Sequence, residues 1–327
     1  MLDFRDISAQ NFEQQALELF HWQSQNNPTY AKYCELLGRN PAGISKIQDI
    51  PFLPVELFKN HRIQCGNWTP EISFSSSTTS GGSPSFHHVR EKAHYERVYR
   101  QGFELAYGAM EDWTILALLP SYLERSGSSL VTMAEGLVAA SNDQRSGFFL
   151  YNNQELDSLL QELAAEQKPT LLLGVTFGLL DFADYLNGRT IEFPELRIME
   201  TGGMKGRKKE MIRAEVHQYL KASFPASPID SEYGMTELMS QAYLIDSGLF
   251  IPPAWMRVYT RDIADPLAPS LQNGSRGALN VIDLANVDSC AFLALSDQGQ
   301  VFENGTFEVY GRLDNSEIRG CNLMITL

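Results

Sequence analysis

The 327-residue chain is 43% hydrophobic and 20% charged, the composition of a folded protein with a sizeable core. Its formal net charge of -14 argues against a nucleic-acid partner, because phosphate contacts need clustered Lys and Arg. Four scattered cysteines without C-x-x-C spacing indicate neither a zinc site nor a disulfide framework. With no signal-peptide pattern and no apolar run of about 18 residues, the sequence predicts a cytoplasmic protein without a membrane span.

Two helices are predicted near the N-terminus, at residues 11–25 and 28–37, from apolar side chains that recur on one helical face. A proline-containing connector at 47–58 leads to a run rich in Ser, Thr and Gly at 75–83. A helix with aromatic members is predicted at 95–108. The run is therefore expected just ahead of a helix N-terminus, where anions are favoured.

Strand and helix patterns then alternate, which predicts an α/β fold with a largely parallel sheet. The predicted strands are 114–119, 170–175 and 196–200, and the predicted helices are 129–140, 154–166, 179–186 and 208–222. After Pro252 short β-like runs separated by turns indicate a smaller antiparallel region. The expected parts are a helical cap and connector at 1–60, an α/β core at 61–250, a β-rich subregion at 251–313 and an arm at 314–327.

The run from Ser75 to Ser83 is the first of four segments that suggest nucleotide binding. Many hydroxyls and flexible backbone N–H groups in one loop suit a phosphate cradle, although a Ser/Gly-rich surface linker has the same composition. The run is not a Walker loop, which requires G-x-x-x-x-G-K-[ST]. The candidate phosphate ligands are Ser76, Ser77, Thr78, Thr79 and Ser80.

The sharpest segment is Glu232-Tyr233-Gly234-Met235-Thr236-Glu237. The ring of Tyr233 suits stacking on adenine, and Gly234 allows close backbone approach. The Thr236 hydroxyl suits the α-phosphate, and the Glu237 carboxylate suits Mg²⁺ held on a triphosphate.

The two remaining segments are glycine-containing turns that ordinary turn chemistry also explains. One is Thr201-Gly202-Gly203, which follows a predicted strand. The other combines Ser296-Asp297-Gln298-Gly299 with Tyr310-Gly311-Arg312-Leu313-Asp314.

These four segments, in this order, resemble the motifs of adenylate-forming (acyl-CoA synthetase-like) enzymes, and the resemblance extends from about Pro51 onward. It implies that a carboxylate attacks the α-phosphate of ATP, with Mg²⁺, to give an acyl-adenylate and pyrophosphate. It also implies that the Gly202–Gly203 turn approaches the adenine and the acyl carbonyl, and that Asp297 and Arg312 contact the ribose. Ser77 and Ser80 depart from the family pattern, which has glycine at both places.

The segment Glu317 to Met324, which contains Cys321, resembles the end of the LuxE-type acyl-protein synthetases, or long-chain-fatty-acid–protein ligases. Residues 50–59, 119–123 and 280–286 resemble the same group. The resemblance implies that the superfamily's small C-terminal domain is absent. It further implies that Cys321 carries a fatty acid as a thioester and passes it to an acyl-CoA-reductase-type partner. Without the resemblance, Cys321 would be read as an inert terminal thiol.

Two other functions remain open at this point. One is an acyl- or aryl-CoA ligase that resembles phenylacetate-CoA ligase, and the other is a catalytically impaired structural partner of the reductase. In either enzyme the acyl pocket is expected along residues 128–133 and 174–178. The pair His87-His88 has two interpretations, a phosphate or carboxylate contact and a surface or helix-start pair.

Overall fold

The computed structural model describes residues 2–76, 83–119, 127–202, 211–246, 248–265 and 274–313. In these residues the α-helices are α1 Phe12–Asn26, α2 Pro28–Leu36, α3 Lys92–Tyr107, α4 Ser129–Ala140, α5 Asn153–Glu166, α6 Thr176–Leu186 and α7 Arg213–Ser223. The strands are β1 Leu53–Pro54, β2 Ile72–Ser75, β3 Phe86–Val89, β4 Thr114–Leu118, β5 Gly147–Phe148, β6 Thr170–Val175, β7 Leu196–Thr201, β8 Ile229–Tyr233, β9 Ala242–Leu244, β10 Phe250–Ile251, β11 Met256–Arg261, β12 Arg276–Asp283, β13 Phe292–Val301 and β14 Phe307–Arg312.

The chain divides into two units. The first combines the described parts of Met1–Asn67 and Ala254–Leu327, and the second is formed by the described parts of Trp68–Pro253. No helix in the described ranges is both long and apolar enough to cross a lipid bilayer.

The second unit contains a mostly parallel sheet, as the alternating sequence pattern predicts. Strands β5, β4, β6, β7 and β8 pair in that order and run parallel, and β9 and β10 extend the sheet antiparallel beyond β8. Every residue of β4 and β6 is buried, because a parallel sheet is covered on both faces. The expected α/β fold is thereby confirmed.

Close approach of helix and sheet in this unit depends on Gly174 in β6. A Cβ at that position would lie 2.6 Å from the Leu179 Cγ and 3.0 Å from the Leu118 Cβ. The absence of a side chain lets α6 pack directly on the strand it follows. The core beside this contact is formed mainly by leucine and phenylalanine, including Leu172, Leu180 and Phe182.

A separate two-stranded hairpin, β2–β3, flanks the Ser/Thr/Gly-rich run. Phe74 and His87 are register partners, as are Ser75 and Phe86. The prediction that this run lies just ahead of a helix N-terminus is wrong, because β3 stands between the run and α3, which begins at Lys92. The run connects two strands of a hairpin. Helix dipole effects from α3 therefore do not act on it directly.

The first unit is built from both ends of the chain. Strands β11, β12, β13 and β14 form an antiparallel sheet, and β1 pairs parallel with β13. The buried amide of Gln23 in α1 holds the helices in place: its Nε2 donates to the carbonyls of Asn286 (2.9 Å) and Val287 (2.8 Å), and its Oε1 accepts from the Ala291 N–H (2.9 Å). Asn27 caps α2 and also donates to the Ser289 carbonyl. These amides fix the predicted helical cap to the predicted antiparallel region.

Candidate functional site

The stem of the Ser/Thr/Gly-rich run contacts the Tyr-Gly-Met-Thr-Glu motif through two side chains. The Ser85 hydroxyl donates a short hydrogen bond to the buried Glu237 carboxylate. His87 donates from Nδ1 to the Thr236 carbonyl oxygen at 2.8 Å and is itself buried. The two segments are about 150 residues apart in sequence, so this meeting is a property of the fold.

The same stem fixes the first residue of the predicted phosphate cradle. Ser76 donates its N–H to the Ser85 carbonyl (3.1 Å), and its hydroxyl accepts from the Ser85 N–H (2.9 Å). The structure therefore brings Ser76 and Glu237 together around Ser85, with Thr236 bound by the nearby His87. The predicted ligands Ser77, Thr78, Thr79 and Ser80 lie outside the described residues.

The turn after β7 is held by a network centred on Glu200. Gly202 adopts φ +74°, a left-handed conformation that glycine takes without steric cost. The Thr176 hydroxyl shares its one proton between the Gly202 carbonyl (2.8 Å) and the Glu200 Oε2 (3.0 Å). Ser231 donates to the Glu200 Oε1 at 2.7 Å. These contacts fix the carbonyl of the predicted adenine-binding turn; Gly203 lies outside the described residues.

Two buried glutamates on neighbouring strands are in opposite electrostatic situations. Burial favours a raised pKa for Glu200, but the nearby His217, the hydrogen bond from Ser231 and the charge of Arg213 outweigh it, and the pKa is lowered. Burial raises the pKa of Glu232 to about 7, and the nearby Glu200 charge adds to this effect. A hydrogen bond from the Thr201 hydroxyl acts in the opposite direction but does not offset it. Glu232 therefore changes protonation near neutral pH, whereas Glu200 remains charged.

The aromatic residue of the motif, Tyr233, is buried. Its ring packs against Phe250 with the centroids 5.6 Å apart, and the Arg213 guanidinium lies 4.5 Å from the Phe250 centroid. Gly234 follows at the end of β8. A methyl group there would overlap the Glu232 carboxylate.

The two predicted ribose ligands meet in the first unit. Asp297 on β13 and Arg312 on β14 are register partners, and the Arg312 Nε lies 3.6 Å from the Asp297 Oδ1. The carboxylate is mostly buried, whereas the arginine side chain is 75% exposed. The sequence placed these residues 15 positions apart, and strand pairing brings them into contact.

The described cysteines are unreactive. Cys34, Cys65 and Cys290 are buried thiols, and burial raises the pKa of Cys34 to about 11 and of Cys65 to about 12. A thiol with such a pKa is a poor nucleophile near neutral pH. Cys321, the predicted acyl carrier, lies outside the described residues.

The donor set of the motif suits Mg²⁺ more than a transition metal. Across the residues that the structure describes, no group of three or more His, Cys, Asp or Glu side chains is arranged to hold a metal ion. Mg²⁺ needs no such cage, since proteins bind it through one or two carboxylates together with substrate phosphates. Glu237 is a buried carboxylate that fits this role.

Sequence reasoning missed Ser85 and the Thr176–Glu200 network, and it left His87 undecided. His87 is buried against the motif, whereas His88 is half-buried and binds the Ser73 hydroxyl through Nδ1 at 2.8 Å. The sequence of strand β3 could have indicated this difference, because successive side chains of a strand point to opposite faces, so His87 and His88 cannot both face the same way.

No family model matches the sequence, and no curated protein matches it. Among solved structures, an open conformation of 2-hydroxyisobutyryl-CoA ligase in complex with 2-HIB-AMP and CoA is similar, with a TM-score of 0.64 and 11% identity over 96% of this chain and 79% of that one. ATP-bound MatB from Rhodopseudomonas palustris has a TM-score of 0.53 and 16% identity over 75% of this chain and 49% of that one. A variant of o-succinylbenzoate CoA synthetase (MenE) from Bacillus subtilis, bound with a product analogue, has a TM-score of 0.50 and 17% identity over 74% and 49%.

This chain thus spans about half the length of the last two proteins and 79% of the first. At these identities the likeness concerns the fold. The three proteins are adenylate-forming enzymes. The chain has the α/β fold of the large domain of adenylate-forming enzymes.

Proposed function

We propose that the protein activates a fatty or related carboxylic acid with ATP and Mg²⁺. The observation that carries this proposal is the meeting of Ser76 with Thr236 and Glu237 through Ser85 and His87. Two segments that suit phosphate and Mg²⁺ by their residue types are held together on the fold of enzymes that perform this chemistry.

In the proposed reaction a carboxylate oxygen of the acid forms a bond to the α-phosphorus of ATP. The bond from that phosphorus to the bridging oxygen breaks, and pyrophosphate leaves with its electron pair. The Thr236 hydroxyl donates to the α-phosphate, and Ser76, Ser77, Thr78, Thr79 and Ser80 bind the departing phosphates. Glu237 holds Mg²⁺, which neutralises phosphate charge when bound. The protein's contribution is orientation and charge stabilisation.

The nucleotide itself is proposed to be held by four further elements. Tyr233 and the Gly202–Gly203 turn contact the adenine, Gly234 allows the backbone to approach, and Asp297 and Arg312 bind the ribose hydroxyls. Fixed hydrogen bonds to Gly202 support this role, because an ordered turn binds a ligand at a lower entropy cost than a mobile one.

The second proposed step transfers the acyl group to Cys321. Its thiolate forms a C–S bond with the acyl carbon, the bond to the adenylate oxygen breaks, and AMP leaves; the thiol proton passes to solvent. The other cysteines are buried with raised pKa, which supports Cys321 as the acceptor. The thioester would then serve an acyl-CoA-reductase-type partner.

The central test is ATP–pyrophosphate exchange with a panel of carboxylic acids. We expect exchange with at least one acid and a loss of 100-fold or more, on the order expected for a lost electrostatic group, in Glu237→Gln. Glu303→Gln, an exposed glutamate in the first unit, is the matched control and should retain full exchange. No exchange with any acid would contradict adenylation and favour the impaired structural partner.

A CoA ligase is the second candidate, because two of the similar structures described above are by name a CoA ligase and a CoA synthetase. Intact-mass measurement after incubation with ATP, Mg²⁺ and the acid distinguishes the two. An acyl-protein synthetase gives an adduct that hydroxylamine removes and that Cys321→Ser abolishes, while Cys34→Ala leaves it unchanged. Acyl-CoA formation that survives Cys321→Ser would establish the ligase instead.

A further inference from the structure

A cluster of buried polar side chains lies on one face of the β8–β9 hairpin, beside the nucleotide motif, and the proposed reaction gives it no role. Glu232 and Tyr243 are register partners, and Gln241 precedes Tyr243 by two residues, so the three side chains share a face. All three are buried. A methyl group at Gly234 would overlap the Glu232 carboxylate and lie 3.4 Å from the Gln241 Cγ, so Glu232 and Gln241 adjoin at the end of β8.

Two atoms of this cluster are unsatisfied. In the described residues, neither the Tyr243 hydroxyl nor the Gln241 amide oxygen has a hydrogen-bond partner. The Tyr243 ring is held by edge contact with Tyr107, with the centroids 5.4 Å apart, so its hydroxyl has a defined position. Buried polar atoms without partners destabilise a fold, and their presence calls for a group that completes them.

The unsatisfied pair has a definite chemistry. The phenol of Tyr243 donates a hydrogen bond, and the amide oxygen of Gln241 accepts one. A hydroxyl group on a ligand can accept from the first and donate to the second. A purely aliphatic chain would leave both atoms unpaired and would be rejected on that account.

The cluster also adjoins the segment expected to line the acyl pocket. The Tyr95 hydroxyl donates to the Ser129 carbonyl at 3.0 Å, in the first turn of α4. Burial, followed by the nearby Glu232 charge, raises the pKa of Tyr95, and a hydrogen bond with the Gln241 side chain acts in the opposite direction. The polar face of the hairpin and the start of α4 thus border the same region of the second unit.

We propose that the pair Tyr243 and Gln241 recognises a hydroxyl group, so that the substrate is a hydroxy-substituted carboxylic acid. This inference rests on the proposed adenylation and specifies its substrate class. The hydroxyl lies between the Tyr243 phenol and the Gln241 amide, and the acid's carboxylate points toward the Thr236–Glu237 segment.

The test compares hexanoic acid with 2-, 3- and 6-hydroxyhexanoic acid in ATP–pyrophosphate exchange. In the wild-type protein at least one hydroxy acid is expected to exceed hexanoic acid in kcat/KM by about 100-fold or more. Tyr243→Phe should reduce that ratio to below about 10-fold, the loss of one hydrogen-bond donor in a buried site. Tyr30→Phe is the control, because that buried hydroxyl already donates to the Pro51 carbonyl, and it should keep the wild-type ratio.

A ratio near one in the wild-type protein, as a water-filled cluster would give, overturns the proposal, and so does a high ratio that survives in Tyr243→Phe. Gln241→Met provides the same comparison should Tyr243→Phe not fold. Isothermal titration calorimetry with the four acids separates this inference from adenylation. Hydroxyl-dependent binding that Tyr243→Phe removes supports recognition even where no acid is exchanged, and exchange without hydroxyl preference refutes recognition alone.

Discussion

Glu232 gives the structure a stability that depends on pH in a direction opposite to that of most carboxylates. Burial raises its pKa from an ordinary 4.5 to about 7 in the folded protein. Between these two values the unfolded chain has released the proton that the folded chain retains. The free energy of unfolding therefore falls as pH rises, with the contribution fully present below pH 4.5 and lost by the time pH passes 7.

The size of the effect follows from the two pKa values. A difference of about 2.5 pKa units corresponds to about 3 kcal/mol at 1.36 kcal/mol per unit. Glu232→Gln removes the titration while keeping an oxygen that can accept from the Thr201 hydroxyl. We expect the free energy of unfolding of the variant, relative to that of the wild-type protein, to increase by about 3 kcal/mol between pH 4 and pH 8.

Urea unfolding at several pH values measures this difference directly. For Glu303→Gln, at an exposed position, the free energy of unfolding should change with pH in the same way as that of the wild-type protein. The reasoning is refuted if the curves for Glu232→Gln and wild type are also parallel. A gain in the variant at low pH instead of high pH would show that the folded protein holds Glu232 charged.

Three further predictions follow from the surroundings of individual residues. Gly136→Ala in α4 places a methyl group against the Tyr99 hydroxyl and should lower the free energy of unfolding by about 1–3 kcal/mol. Gly102→Ala in α3 is the control, because a methyl group there would have its nearest neighbouring atom 4.0 Å away, and it should raise the free energy of unfolding by roughly 0.5–1 kcal/mol. Urea unfolding measures both changes. Arg197→Met removes the ion-pair partner of the buried aspartate of β8 and should cost about 3 kcal/mol at pH 8. The loss should become smaller as the pH is lowered, because the pKa of that buried carboxyl is raised and it takes up a proton; a loss that does not change with pH would contradict this. Ser85→Ala removes the hydrogen bond to Glu237 and should lower kcat/KM for pyrophosphate exchange about 10-fold, with recovery in Ser85→Thr; an unchanged rate would deny Ser85 a positioning role.

The sequence was informative where local chemistry and apolar runs decide the structure. Strand β6 and helix α4 match their predicted bounds, because an unbroken apolar run marks a buried strand and Ser128 caps the helix by accepting from the Val131 N–H. Hairpin β2–β3 was missed. Its serines and histidines carry no clear hydrophobic alternation, and only pairing between the two strands stabilises it.

The candidate site was predictable in its residue types and not in its supporting contacts. The motif that contains Thr236 and Glu237 is visible as a short continuous segment. Its partner Ser85 lies 152 residues away, so no local pattern indicates the pair. The raised pKa of Glu232 likewise comes from burial and from Glu200 on the adjacent strand, both of which exist only once the sheet has formed.

Because the first unit is built from both ends of the chain, it can fold only after the ribosome has synthesised both of them. The Gln23 amide binds the backbone of residues 286, 287 and 291, so α1 has no docking surface until those residues have been translated. Residues 68–253 emerge in between and contain the whole parallel sheet. The second unit is therefore free to fold while the N-terminal helices wait, with their apolar faces available to chaperones for more than 200 codons.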